Sequence, residues 1–236
     1  MTDKNAMVPA PIVAHQIAGA ADDDLLSWLE GCLTPLNDVA LPIAGTLVDG
    51  YPLNRERPAA ILVPLVRTDK EWRIILTKRA AHLPYHAGQI SFPGGKLEPY
   101  DLGLAAAALR EAFEEIGLMP ERVRVAGGLN PVRSPAGFVV QPVVGIVDDD
   151  LRLQSLTANP DEVDLIFTLS LAHVANPENF RLVPRHTIGR RNDYWVVAHN
   201  DHHIWGLSAR VLQDFHQRLD KIKNWYQKSP PKKRHL

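Results

Sequence analysis

A single cysteine, Cys32, in 236 residues excludes an internal disulfide framework and any cysteine-rich zinc site, and it suits a reducing compartment or indifference to redox state. Its simplest reading is a small buried apolar residue on an N-terminal helix. No apolar run is long enough to span a bilayer, and Met1-Thr2-Asp3-Lys4 lacks the basic-then-apolar layout of a secretory signal. The expectation is a cytoplasmic protein with no membrane partner. Charge of one sign is also scarce, since 26 Lys and Arg stand against 27 Asp and Glu. Without a broad basic field, counterion release gives no general nucleic-acid affinity, so nucleic acid is not an expected partner and an anionic ligand must be held by local groups. No internal repeat is visible.

The length suits one substantial hydrophobic core with decorated ends. Residues 1–55 read as an N-terminal extension rich in Pro and Ala, with one helix from Asp22 to Leu33 whose Asp22, Asp23 and Asp24 crowd the positive end of the helix dipole. Residues 56–226 read as the main domain. Residues 227–236 read as a solvated basic tail, and its final Arg234-His235-Leu236 puts a large residue where a peroxisomal tripeptide needs a small one. Strand-length apolar runs lie at Ala59–Val66 and Trp72–Thr77, a hairpin across Thr68-Asp69-Lys70-Glu71, and again at Val123–Val125, Phe138–Val147, Val163–Phe167 and Tyr194–Ala198. Helical spacing appears from about Leu102 to Ile116, closed by Gly117, and from Gly206 to about Trp225. Strands mixed with few helices predict an α+β or α/β fold, a mixed β-sheet sandwiched between helices.

On the first of these helices, Glu111 and Glu115 lie one turn apart and Glu114 sits beside them, while Leu109, Ala112, Phe113 and Ile116 are expected to pack on the sheet. Each like-charge pair one turn apart is unfavourable by about 0.2–0.5 kcal/mol. A hard divalent cation such as Mg²⁺ compensates well, because it takes carboxylate oxygens, waters and substrate phosphates. An isolated E-x-x-E-E is more often a solvated helix face. The context differs here: Phe92-Pro93-Gly94-Gly95-Lys96 places two glycines where a strand enters a loop, and glycine lets a backbone approach phosphate or metal closely. Glu98, just beyond, is either a further site acid or a solvated loop residue.

Gly95, Asp101 and Arg110-Glu111-Ala112-Phe113-Glu114-Glu115-Ile116-Gly117-Leu118 together resemble the Nudix box, which reads G, five residues, E, seven residues, R-E-hydrophobic-x-E-E-x-G-hydrophobic. Asp101 replaces the box glutamate, and eight residues rather than seven separate it from Arg110. The resemblance implies a Nudix fold and a diphosphate-cleaving hydrolase. It implies that Glu111, Glu114 and Glu115 hold Mg²⁺ or Mn²⁺, helped by a carbonyl near Gly94, that Arg110 orients the glutamates, and that a bound ion polarises the diphosphate and helps generate hydroxide. An acid outside the box often serves as base or ligand in this family. The candidate is Glu162 in Asn159-Pro160-Asp161-Glu162-Val163, with an exposed turn acid as the alternative.

The run from Leu76 to Gly95 is similar to the signature of the coenzyme A pyrophosphatase branch: L-T-x-R, a small residue, three residues, R, three residues, G, three residues, F-P-G-G. Pro84 replaces the second arginine, and every other fixed position matches. The longer spacing before Arg110, Pro142-Val143-Val144-Gly145 and Ile204-Trp205-Gly206-Leu207 also look like that branch, extending the resemblance from Arg57 to Leu219. It implies a small nucleotide substrate of the coenzyme A kind, cut to 3′,5′-ADP and 4′-phosphopantetheine or its acyl form. Arg79, Lys78, His82 and His86 are the candidates for the local positive charge that the extra 3′-phosphate calls for, with a strand-end arginine paired to a surface acid and a hydrogen-bonded loop residue as the alternatives for Arg79 and His86, and Gly94 and Gly95 for the close backbone approach. Other Nudix substrates, namely ADP-ribose, NADH or dinucleotide polyphosphates, and a catalytically silent binding module remain as alternatives, and a homodimer is compatible with all of them.

Overall fold

Ala59–Val66 carries no charged residue, as expected of a strand buried on both faces. In the computed structural model the run belongs to strand β1 (Arg57–Thr68), and its alternate side chains enter two separate cores. Ala59, Ile61, Val63 and Leu65 face one side; Ala60, Leu62 and Val66 face the other. The structure describes residues 29, 31–36, 57–68, 71–149, 151–184, 186–187, 190–191, 193–200 and 202–228. The expected start of the N-terminal helix at Asp22–Asp24 and the tail beyond residue 228 lie outside them.

The remaining strands are β2 (Glu71–Arg79), β3 (Ile90–Ser91), β4 (Gly94–Lys96), β5 (Val123–Gly128), β6 (Val132–Arg133), β7 (Phe138–Val147), β8 (Val163–Ser170), β9 (Phe180–Val183), β10 (His186–Thr187), β11 (Arg190–Arg191), β12 (Tyr194–His199) and β13 (His202–Trp205). The helices are α1 (Leu104–Ile116), α2 (Leu171–Ala175) and α3 (Gly206–Lys228). The main sheet runs β3-β2-β1-β7-β5, with β4 on β1, β6 on β7 and β8 on β2. β1 and β7 are parallel and the other pairs antiparallel, which makes the sheet mixed as expected. Helix α1 covers one face through Ala108, Ala112 and Ile116; α3 covers the other through Val211, Leu212 and Phe215. A second sheet, β13-β12-β9, packs against α3.

All six apolar runs read as strands form strands, and the expected hairpin is the antiparallel β1–β2 pair with Thr68 opposite Glu71. The strands of two to four residues are not foreseeable, because a stretch so short shows no alternation. Helix α1 starts at Leu104 rather than Leu102: Gly103, at φ 131°, breaks the helical path, and Leu102 is 99% exposed. Cys32 is half-buried against the core, in a helical segment whose Leu29 and Leu33 are buried.

The feature that positions the site is a fork in the partners of β1. Ala59–Ile61 pair with β4, whereas Leu65–Thr68 pair with β2. Between them, Phe92-Pro93 crosses the edge, and Leu62 N–H donates to the Pro93 carbonyl at 2.9 Å. Ser208 Oγ, at the start of α3, donates to the Ile90 carbonyl at 3.0 Å and ties the second core to the same crossing. Among the described residues no helix is long and apolar enough to cross a membrane.

Phe215 of α3 is among the largest fully buried side chains of the core on that face of the sheet. Phe215→Ala should therefore lose about 3–5 kcal/mol of stability, read as a lower denaturant midpoint with an unchanged slope.

Candidate active site

Helix α1 opens with Leu104-Ala-Ala-Ala-Ala-Leu109, strong helix formers that need no side-chain cap, and stops at Gly117 in the left-handed conformation (φ 67°). Gly117 N–H closes the helix on the Phe113 carbonyl at 2.9 Å. At about 100° per residue, Ala108, Ala112 and Glu115 fall within about 60° of one another, so packing the alanines on β1 buries the glutamate with them. Glu115 is accordingly only 2% exposed. Phe113 lies about 160° round from Glu115 and is 47% exposed. This corrects the expected division into a carboxylate face and an apolar face: Glu115 and Glu111 look toward the sheet, and Phe113 looks away from it.

Arg110 organises the rest. Its Nε and Nη2 donate to the two oxygens of Asp101 at 2.9 and 3.0 Å, its Nη1 to Glu111 Oε1 and Glu114 Oε2, both at 2.9 Å, and its Nη2 also to the Lys96 carbonyl at 3.1 Å. The Tyr100 ring lies 5.6 Å from the guanidinium carbon. The hydrogen bond to Arg110 holds the Asp101 carboxyl below its usual range, and the same bond raises Arg110, which stays charged. The sequence gives Asp101 no role of its own, although it stands at the acidic position of the box. It supplies a two-pronged tether for Arg110. Glu98 contributes here through its backbone: its N–H donates to Asp101 Oδ2 at 2.8 Å, and its carbonyl accepts from Asp101 N–H.

The glycines at the fork have steric reasons. A Cβ on Gly94, whose φ is 155°, would overlap the Ala60 carbonyl and Ile61 Cα of β1; one on Gly95 would overlap the Glu111 carboxylate. Burial raises the Glu111 carboxyl, with Arg110 opposing. It pushes Glu115 up to about 8, a rise that the Arg79 charge opposes and the Glu162 and Glu111 charges reinforce. Arg79 Nη1 lies 3.9 Å from Glu115 Oε1, yet Glu115 Oε2 and Arg79 Nε are both buried and lack any protein partner.

The structure brings Arg79, Glu111 and Glu115 together beside Gly94 and Gly95, and the Glu162 charge is near enough to act on both glutamates. Glu114, at 47% side-chain exposure, is turned to Arg110 at the rim. Lys78 has the strand parity of Ile74 and Leu76, which enter the core on the far side from α1. His86 sits exposed in the loop after β2 at φ 58°, bonded through Nδ1 to Gln89 Oε1 at 3.0 Å, and His82 is exposed in the same loop. No three acidic, His or Cys side chains among the described residues converge as a finished cation site. The donor set nevertheless fits a hard cation: an orphaned buried carboxylate oxygen, a second, half-buried carboxylate under a glycine, and mutual repulsion that a dication relieves.

Residues 55–188 match the NUDIX domain family, more than half of the chain. The chain belongs to the Nudix hydrolase family. It is 42% identical over 159 residues to "Uncharacterized Nudix hydrolase NudL" of Cronobacter sakazakii, covering 67% of this chain and 81% of that one. The protein of the same name from Enterobacter sp. is 39% identical over 162 residues, covering 69% and 82%. Among solved structures, the Nudix hydrolase RenU of M. smegmatis is similar over 51% of this chain and 74% of its own, at 21% identity and a TM-score of 0.42. As a Nudix hydrolase the protein is a pyrophosphohydrolase, and enzymes of this family use divalent metal ions.

The raised Glu115 carboxyl gives a pH prediction. Below about 4.5, native and unfolded states both hold its proton; between about 4.5 and 8 only the native state keeps it, so in chelator rising pH drains stability through that window. Glu115→Gln should thus be stabilising by an amount that grows from pH 5 to pH 8, reaching on the order of a few kcal/mol. Urea melts of both proteins in chelator across that range check this, and a constant difference would refute it.

Proposed function

We propose that this Nudix hydrolase cleaves the diphosphate of coenzyme A or its derivatives to 3′,5′-ADP and 4′-phosphopantetheine or its acyl form, with Mg²⁺ or Mn²⁺. One observation carries the reading. Arg79, the fixed arginine of the Leu76–Gly95 run, stands against Glu115 of the box helix with its Nε unpartnered. The segment whose residues resemble the coenzyme A branch is thereby physically joined to the carboxylates. The loop after Arg79 is pinned at its base by Arg79 N–H to the Gln89 carbonyl at 2.9 Å and Gly88 N–H to the Arg79 carbonyl at 3.1 Å, which supports a fixed rim for substrate.

On this reading Glu111, Glu114 and Glu115 hold the ions, and Arg110 keeps Glu111 and Glu114 in register through the Asp101 tether. Bound metal supplies charge neutralisation at the diphosphate and lowers the pKa of water. Glu162 takes the proton from the attacking water, and Arg79 offers its free Nε–H to a phosphate oxygen. Gly94 and Gly95 keep the floor open and His86 belongs to the exposed rim, whereas Lys78, by its strand parity, and Glu98, which acts through its backbone, stand apart from the substrate. The proline at position 84 leaves the 3′-phosphate to His82 and His86 of the loop.

Two outcomes test the proposal. Glu114→Gln should abolish most Mg²⁺-dependent turnover while the melting temperature in chelator changes little, because the amide oxygen can still accept from Arg110 and a half-exposed ion pair adds little stability. Near-normal turnover would sink the metal assignment. In a screen of coenzyme A, dephospho-coenzyme A, ADP-ribose, NADH and dinucleotide polyphosphates, coenzyme A should be preferred. Dephospho-coenzyme A should be roughly ten- to a hundredfold poorer in kcat/KM if one charge-assisted contact reads the 3′-phosphate. Preference for ADP-ribose would refute the substrate and leave the family chemistry standing.

A further inference from the structure

The last carbonyls of a helix have no partner within it. At the end of α1, Glu115 and Ile116 are served by a segment some forty residues later in the chain: Asn159 N–H donates to the Glu115 carbonyl at 2.9 Å and Thr157 N–H to the Ile116 carbonyl at 3.0 Å. The same Asn159 then shapes the turn that leads into β8. Its Oδ1 accepts from Asp161 N–H at 3.1 Å, and its carbonyl accepts from Glu162 N–H at 3.0 Å and Val163 N–H at 2.8 Å. Pro160 donates no hydrogen bond and restricts Asn159 to extended backbone, so the turn is set before it closes. On the far side, the Glu162 carbonyl accepts from Ala80 N–H at 2.8 Å, and Asp164 Oδ2 accepts from Ala81 N–H at 3.0 Å. Asn159 is therefore a single residue whose main chain bonds both the glutamate of the box helix and the glutamate outside the box.

We infer that Asn159 is a positioning residue for hydrolysis, fixing the placement of Glu162 relative to Glu115 through its side-chain turn and its two backbone links. The inference rests on the reading of Glu162 as the proton acceptor. A backbone contact survives substitution, whereas the side-chain turn does not, so Asn159→Ala removes one neutral hydrogen bond and loosens Glu162 without deleting any group that meets substrate. A hydroxyl at the same position closes a similar turn more weakly.

The experiment is a double-mutant cycle of Asn159→Ala and Glu162→Gln, with Asn159→Ser alongside, assayed with Mg²⁺ on whichever of coenzyme A, ADP-ribose, NADH or a dinucleotide polyphosphate the wild type cuts fastest. Asn159→Ala should lower kcat about three- to tenfold with KM unchanged, the equivalent of one hydrogen bond. Asn159→Ser should recover part of the loss. In the Glu162→Gln background Asn159→Ala should have no further effect, because its influence passes through the missing carboxylate. A near-wild-type rate for Glu162→Gln would refute the base assignment and the inference with it. A crippled Glu162→Gln on which Asn159→Ala still imposes its full loss, or an equal loss in Asn159→Ala and Asn159→Ser, would overturn the role of Asn159 alone.

Discussion

The protein depends on keeping negative charge where folding alone would not leave it. Glu111 and Glu115 are pressed toward the sheet, with Glu114 at the rim and the Glu162 charge nearby. Two arginines make this tolerable in different ways. Arg110 is saturated with acceptors and acts as a strut, holding Asp101, Glu111, Glu114 and the Lys96 carbonyl in one set of contacts. Arg79 stands at a looser 3.9 Å and leaves a donor unspent. The contrast separates a structural arginine from one available to a ligand, because a buried donor without a partner is unfavourable until something anionic arrives.

The scaffold holds the repulsion by tying each acid to a different part of the chain. α1 is fastened to β1 by its alanines; Gly95 on β4 makes room for Glu111; the Thr157–Asn159 segment caps the end of α1; and β2 delivers Arg79. The fork in β1, with β4 on one stretch and β2 on the next, brings these pieces to one place. Ser208 links the same crossing to α3, so the second core also bears on the geometry of the site. Local rigidity of this kind is what preorganised charge stabilisation requires.

Much of the site was legible along the chain because it is local. Asp101 through Gly117 is nearly continuous, its spacing is helical, and Gly117 marks the helix end by a conformation that glycine favours. The glycines of Phe92-Pro93-Gly94-Gly95 stand out in the sequence, but for a partly different reason: their pattern suggests an approach to phosphate or metal, whereas the neighbours that forbid a Cβ are β1 and Glu111. The tether role of Asp101, the burial of Glu115 and the exposure of Phe113 were not legible. A helical wheel ranks faces by polarity, and here the face was chosen by small size: the alanines admit close packing on β1, and the glutamates between them follow.

Sequence alone determined the elements with strong periodicity, the chemistry of the box and its family, since these are encoded by neighbours within a turn or a strand. The tertiary structure decided which acids are buried, that Arg79 meets Glu115, and that Glu162 reaches the same neighbourhood through Asn159. Those outcomes hang on contacts between residues tens of positions apart: alanine packing on β1, the approach of the Arg79 guanidinium to Glu115, and the backbone hydrogen bonds of Asn159. Their identity leaves no mark in the order of the side chains.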